Sequence, residues 1–79
     1  MTKEEVAHVI ESFLDGTGGP HDWDDFCTFS LVDPALDELR RECCDSDRRF
    51  PPDRPGHFCN GEGKAFLRGV ARRLRGGAV

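Results

Sequence analysis

Thr2-Lys3-Glu4-Glu5-Val6-Ala7-His8-Val9-Ile10-Glu11-Ser12-Phe13-Leu14-Asp15-Gly16 reads as one amphipathic helix with both ends marked. Thr2 and Glu5 have capping-box spacing, in which the hydroxyl takes one free N–H and the carboxylate another. Val6, Val9, Ile10, Phe13 and Leu14 recur at i, i+3, i+4, i+7 and i+8, so they share one helical face. Gly16 stands where a helix-terminating glycine belongs. The stretch predicts a helix over about Lys3 to Asp15, with an apolar face that must be covered by other elements.

Two further stripes can cover it. Asp33-Pro34 predicts a helix start, with Asp at the cap and Pro at the first helical position. Ala35, Leu36, Leu39 and Cys43 follow as its buried side, and Asp37 and Arg41 stand four apart with the acid first. Asn60 caps a last helix, with Phe66, Leu67, Val70, Ala71 and Leu74 on one face and Lys64, Arg68, Arg72 and Arg75 on the other; Gly76-Gly77 ends it. Between the first two stripes lies a glycine-rich turn, Gly16 to Pro20, a connector that has neither the Lys-Ser/Thr end nor the preceding strand of a phosphate-binding loop. Behind it, Asp22 is placed to cap a short helix, with Trp23, Phe26 and Cys27 inward and residues 28–32 leading into an extended connector. Arg48 to Pro55 is a proline-rich traverse, denied helix by its prolines and pinned to the core by Phe50 and Phe58.

The resulting expectation is an all-α fold: a single domain, residues 1–79, built as a small bundle of three longer helices plus one short helix with a proline-rich connector. Its expected core is Val6, Val9, Ile10, Phe13, Leu14, Trp23, Phe26, Leu36, Leu39, Phe66, Leu67, Val70 and Leu74. With 37% hydrophobic and 33% charged residues in a chain of 79, a packed core is feasible but thin. A domain of this length buries only about 60% of the surface its unfolded chain exposes. No run approaches the roughly 18 apolar residues of a membrane span, and the acidic N-terminus lacks a secretory h-region. The expected compartment is the cytoplasm, with no membrane association.

Charge is segregated within the net −4. Residues 1–39 carry ten acidic groups against Lys3, whereas residues 62–79 carry Lys64 and four arginines against Glu62. An acidic body and a basic terminal helix complement each other inside one domain. The four cysteines, Cys27, Cys43, Cys44 and Cys59, form no C-x-x-C pair. Adjacent Cys43 and Cys44 diverge by about 100° on a helix, so they cannot face one partner. All four thiols are expected to be free, with Cys43 packed inward.

Chemistry is assigned by exclusion. His21, Asp22, Asp24 and Asp25 lie close in sequence, but neighbouring helical aspartates diverge and a chain this short leaves little room for a substrate pocket. No catalytic residue and no cofactor are assigned. A zinc site would have to be assembled from Cys27, Cys43, His57 and Cys59, where only the His57/Cys59 pair is close-spaced and a second pair is missing. Lys64, Arg68, Arg72, Arg73 and Arg75 offer phosphates a basic face, but the acidic balance and the lack of stacking aromatics disfavour nucleic acid. What remains is a protein-binding module, immunity-like or regulatory, whose acidic surface meets another protein with a basic surface. Its candidate contacts are Asp22, Asp24 and Asp25 at the acidic turn and Arg48, Arg49 and Arg54 on the traverse.

One resemblance spans most of the chain. Asp22-Trp23-Asp24-Asp25-Phe26 behind a glycine-rich turn, Asp33-Pro34-Ala35-Leu36-Asp37-Glu38-Leu39-Arg40, and Phe58-Cys59-Asn60-Gly61-Glu62-Gly63 resemble a pattern of small bacterial proteins with no assigned activity. The resemblance implies a bacterial, stand-alone, cytoplasmic protein and carries no site residue.

Overall fold

The computed structural model describes residues 1–19 and 21–76. Pro20 and Gly77, which the sequence places at a turn and a helix end, lie outside the described residues. The described chain is all-helical: α1 (Lys3–Asp15), α2 (Asp22–Thr28), α3 (Pro34–Cys44), α4 (Ser46–Arg49) and α5 (Gly61–Leu74). Each long helix starts on its expected cap. Thr2 and Glu5 form the full capping box, Asp33 Oδ1 accepts from Ala35 and Leu36 N–H, and Asn60 Oδ1 accepts from Gly63 N–H. Gly16 ends α1 at φ 71°, a left-handed conformation that glycine adopts without steric cost.

α1 lies along α5 in the largest helix–helix contact; α2 packs on α1, α3 on α2, and α4 bridges α3 and α5. Val6, Ile10, Leu67 and Val70 are completely enclosed where α1 meets α5. Burial of aliphatic side chains of this size stabilises by about 1.5–3 kcal/mol each. Ala7 and Ala71 are also buried, and their small side chains suit a close approach of two helices. Glu11 and Arg75 close the pair at one end with Nη2···Oε1 at 2.7 Å, so the acidic and basic halves do meet within the domain. The Arg75 guanidinium holds the Glu11 carboxyl below its ordinary range.

Three expectations are corrected. A second short helix, α4, takes Arg48 and Arg49 out of the proline-rich traverse, because the prolines begin only at Pro51. The traverse itself is closed as expected, by Asn60 N–H donating to Phe50 O at 3.0 Å, with Phe50 and Phe58 both half-buried. Trp23, Val9, Phe13, Leu14, Leu39 and Phe66 are only partly buried, and Cys43 and Cys59 fill the centre instead. The four-thiol expectation fails: Cys27 and Cys44 form a disulfide joining α2 to α3, with Cα atoms 5.7 Å apart. Cys43 and Cys44 do diverge, and this divergence lets Cys43 enter the core while Cys44 turns to α2. Burial pushes the Cys43 thiol up to about 12 and raises that of Cys59, so both behave as inert core groups.

The first turn of α5 shows why a poor helix former stands there. A methyl on Gly63 would fall 2.8 Å from Cys59 Cβ, Cys59 Sγ and Phe50 Cβ, all of them close-packed. Gly69, further along the same helix, has open space. Gly63→Ala is therefore expected to destabilise by about 1–3 kcal/mol through overpacking. Gly69→Ala should stabilise by about 0.5–1 kcal/mol through helix propensity. Urea unfolding of both variants checks the opposite signs; a gain in both would mean that the Gly63 contact relaxes at no cost.

Candidate functional site

The residues around the Asp-Trp-Asp-Asp-Phe segment form the most featured surface of the molecule. The loop before it folds back on α1. Thr17 and Gly18 N–H both donate to Ser12 O, Gly16 N–H to Phe13 O, and Gly19 N–H to Asp22 Oδ2 at 2.8 Å. Asp22 is therefore not the cap of α2, as expected, but its first residue. His21 occupies the cap position and makes no side-chain cap bond. The Asp22 carboxylate instead turns back to close the glycine loop, which local sequence alone does not reveal.

Behind the acids, the aromatic side chains interlock. Phe13 and Trp23 stack at 4.0 Å between centroids, and Phe58 meets both edge-on at 5.2 and 5.8 Å. This cluster fixes α2 on α1 through side chains that are only half-buried. The Trp23 Nε1–H is enclosed without an acceptor. Phe26 alone of α2 is fully buried.

Two hollows flank Asp22. One, about 280 Å³, is lined by Met1, Val9, Asp22, Asp25, Phe26, Phe29 and Leu31. Its lip is apolar and open: Phe29 is 67% and Met1 56% exposed. The other, about 370 Å³, lies under the glycine loop between His8, Ser12, Phe13, Asp22 and Trp23. Asp24 and Asp25 are exposed, and their carboxylates enter no ion pair or hydrogen bond among the described residues. Their position in the first turn of α2 also suits the helix dipole.

The basic candidates belong to another part of the molecule. Arg48 and Arg49 sit on α4, which packs against α3 and α5, and Arg54 is exposed on the traverse. Arg49 lies over the rings of Phe50 and Phe66 at 5.2 and 5.0 Å, a cation–π placement that covers the core edge. On α5, Arg75 is engaged by Glu11 and Lys64 Nζ stands 3.1 Å from His57 Nδ1, while Arg68, Arg72 and Arg73 are exposed.

The possible zinc set is not brought together. Cys27 is bonded to Cys44, Cys43 and Cys59 are buried, and His57 is exposed. Among the described residues no group of three or more His, Cys, Asp or Glu converges. No described helix is long and apolar enough to cross a membrane.

Sequence reasoning missed one polar constellation. Asp37 and Arg40, both buried on α3, reach across to α2 and the connector. Asp37 Oδ1 accepts from Leu31 N–H at 2.9 Å and from Arg40 Nε at 2.8 Å. Arg40 Nη1 donates to Cys27 O at 2.9 Å and, at longer range, to Phe26 O. The Leu31 N–H, then Arg40, hold the Asp37 carboxyl below its ordinary range. The Asp37/Arg40 spacing in the sequence was a signal, but it looks like any solvated helix pair until the connector is laid over it. No protein-family model, curated protein or solved structure matches the chain.

Proposed function

We propose that the protein is a small protein-binding module whose α2 face docks a basic, amphipathic segment of another protein. The observation that carries the reading is Phe29, a large aromatic left 67% exposed at the lip of an apolar hollow edged by Asp22 and Asp25. Val32, on the same connector, is wholly exposed. An apolar lip with an acidic edge matches a partner that presents an apolar anchor beside lysine or arginine. The acids steer the encounter and the apolar groups retain the complex. The bacterial setting that the resemblance implies, and the immunity-like or regulatory role expected from charge and size, are compatible with this reading. The disulfide, however, argues against the expected cytoplasmic location, where thiols are kept reduced.

Selection from a displayed library of random peptides tests the reading. Enriched peptides are expected to combine an apolar residue with flanking lysine or arginine. Phe29→Ser should weaken their binding by about tenfold or more, the scale of losing one interface anchor. Asp25→Asn should mainly slow association and flatten its dependence on salt. Because Phe29 and Asp25 are both exposed, neither change should disturb the fold. Enriched peptides that are acidic, or that bind Phe29→Ser as well as the parent, would refute the proposal.

A further inference from the structure

We infer that the hollow on the loop side of Asp22 takes a single cationic side chain, arginine in preference to lysine, as a second subsite of the same docking face. The inference rests on the α2 face being the docking surface for a basic partner, and it adds what that partner must present. The loop offers no anion site, although it is rich in glycine. The N–H groups of Gly16, Thr17, Gly18 and Gly19 all donate within the loop and helix end, to Ser12 O, Phe13 O or Asp22 Oδ2. The carbonyls of Gly16, Thr17 and Gly18 accept from nothing among the described residues. Among the described residues the loop therefore keeps unused acceptors and no unused backbone donor.

Asp22 strengthens that bias. Its Oδ2 is engaged by Gly19 N–H, while Oδ1 has no partner among the described residues and is free for a charge-assisted bond. Phe13 and Trp23, stacked on each other, supply the apolar wall. A planar guanidinium suits such a wall better than a compact, strongly hydrated ammonium. At about 370 Å³ the hollow is large enough for one side chain and too small for a folded element. Gly19 is part of the design, because a methyl there would lie 3.1 Å from Asp22 Oδ1 and crowd the free oxygen.

The probe is N-acetyl-L-arginine amide, titrated at fixed pH and ionic strength against its neutral isostere N-acetyl-L-citrulline amide. Trp23 is the only tryptophan and the chain has no tyrosine, so fluorescence reports on this wall. Amide shifts of Gly18 and Gly19 localise the effect. The arginine derivative is expected to saturate with a Kd of about 1 mM, the order for a ligand of its size. The citrulline derivative should not saturate. Asp22→Asn keeps an oxygen for Gly19 N–H but removes the charge, and should weaken arginine about tenfold. Asp53→Asn, an exposed site on the proline-rich traverse, makes the same charge change elsewhere and should leave the Kd alone. Equal binding of citrulline, equal effects of the two variants, or shifts without saturation would each overturn the inference. Peptide selection reads the opposite hollow through Phe29. Arginine binding without peptide binding would thus refute the docking reading, whereas the reverse would refute this subsite alone.

Discussion

Arg40→Ala is expected to cost about 3 kcal/mol, near the lower end of what breaking a buried ion pair from one side costs. Arg40 is 6% exposed and serves three acceptors on two different segments: the Asp37 carboxylate and the carbonyls of Phe26 and Cys27. Alanine would leave those carbonyls without their donor at the end of α2 and open a cavity beneath the connector. For a domain whose whole stability is of order 4–12 kcal/mol, the loss is large. Urea unfolding measures it directly. Acid titration supplies a second readout with a definite sign. The folded state holds the Asp37 carboxyl below its ordinary range through Leu31 N–H and Arg40, so this stabilisation is present above the ordinary carboxylate value and is lost as pH falls. With Arg40 gone the folded value rises toward the ordinary one, Asp37 has less stabilisation to lose on protonation, and the stability gap between variant and parent should narrow as pH falls below the ordinary carboxylate range. An unchanged urea midpoint and acid limb would mean that the Arg40 contacts contribute nothing net.

Reduction of Cys27–Cys44 should cost about as much. The bond closes a loop with a sequence separation of 17, for which the chain-entropy estimate is roughly 3 kcal/mol. In a domain this size that corresponds to a fall in Tm of roughly 15 °C. Both sulfurs belong to partly exposed residues, so a dithiol reductant has access to them. Thiol counting in denaturant without reductant should find two groups, Cys43 and Cys59, and four after reduction. A Cys27→Ala/Cys44→Ala double variant should match the reduced parent and ignore reductant. Four thiols before reduction would show that the pairing does not form. Because Arg40 and the disulfide hold the same end of α2 on α3, losing both should cost less than the sum of the separate losses.

These two attachments show why α2 was the hard element to read. A helix of seven residues with a single fully buried side chain has little stability of its own. It is held by partners far away in the chain: Phe13 and Phe58 against Trp23, Arg40 at its last carbonyls, and Cys44 through a covalent bond. Its acidic residues were recognised as a candidate surface because exposed aspartates need no tertiary knowledge. The apolar lip is not legible in the sequence, since Phe29 and Met1 look like ordinary core or terminal residues until the connector leaves them in the open.

Although it left open part of the inward face of α3, where Ala35 is exposed and Asp37 and Arg40 are buried, the sequence by itself determined the three long helices and their caps. Those features depend on bonds between residues three or four apart, and Thr2, Asp33 and Asn60 cap their own chain whatever the rest does. Only the tertiary structure decided the roles that depend on distant neighbours. Cys27 finds Cys44, Arg40 is buried where the stripe of α3 would allow exposure and donates to Cys27 O, and Gly63 is excluded from having a side chain by Phe50 as well as by Cys59. Such contacts join segments that only packing brings together, α2 with α3 and the start of α5 with Phe50, and no local pattern encodes those pairings.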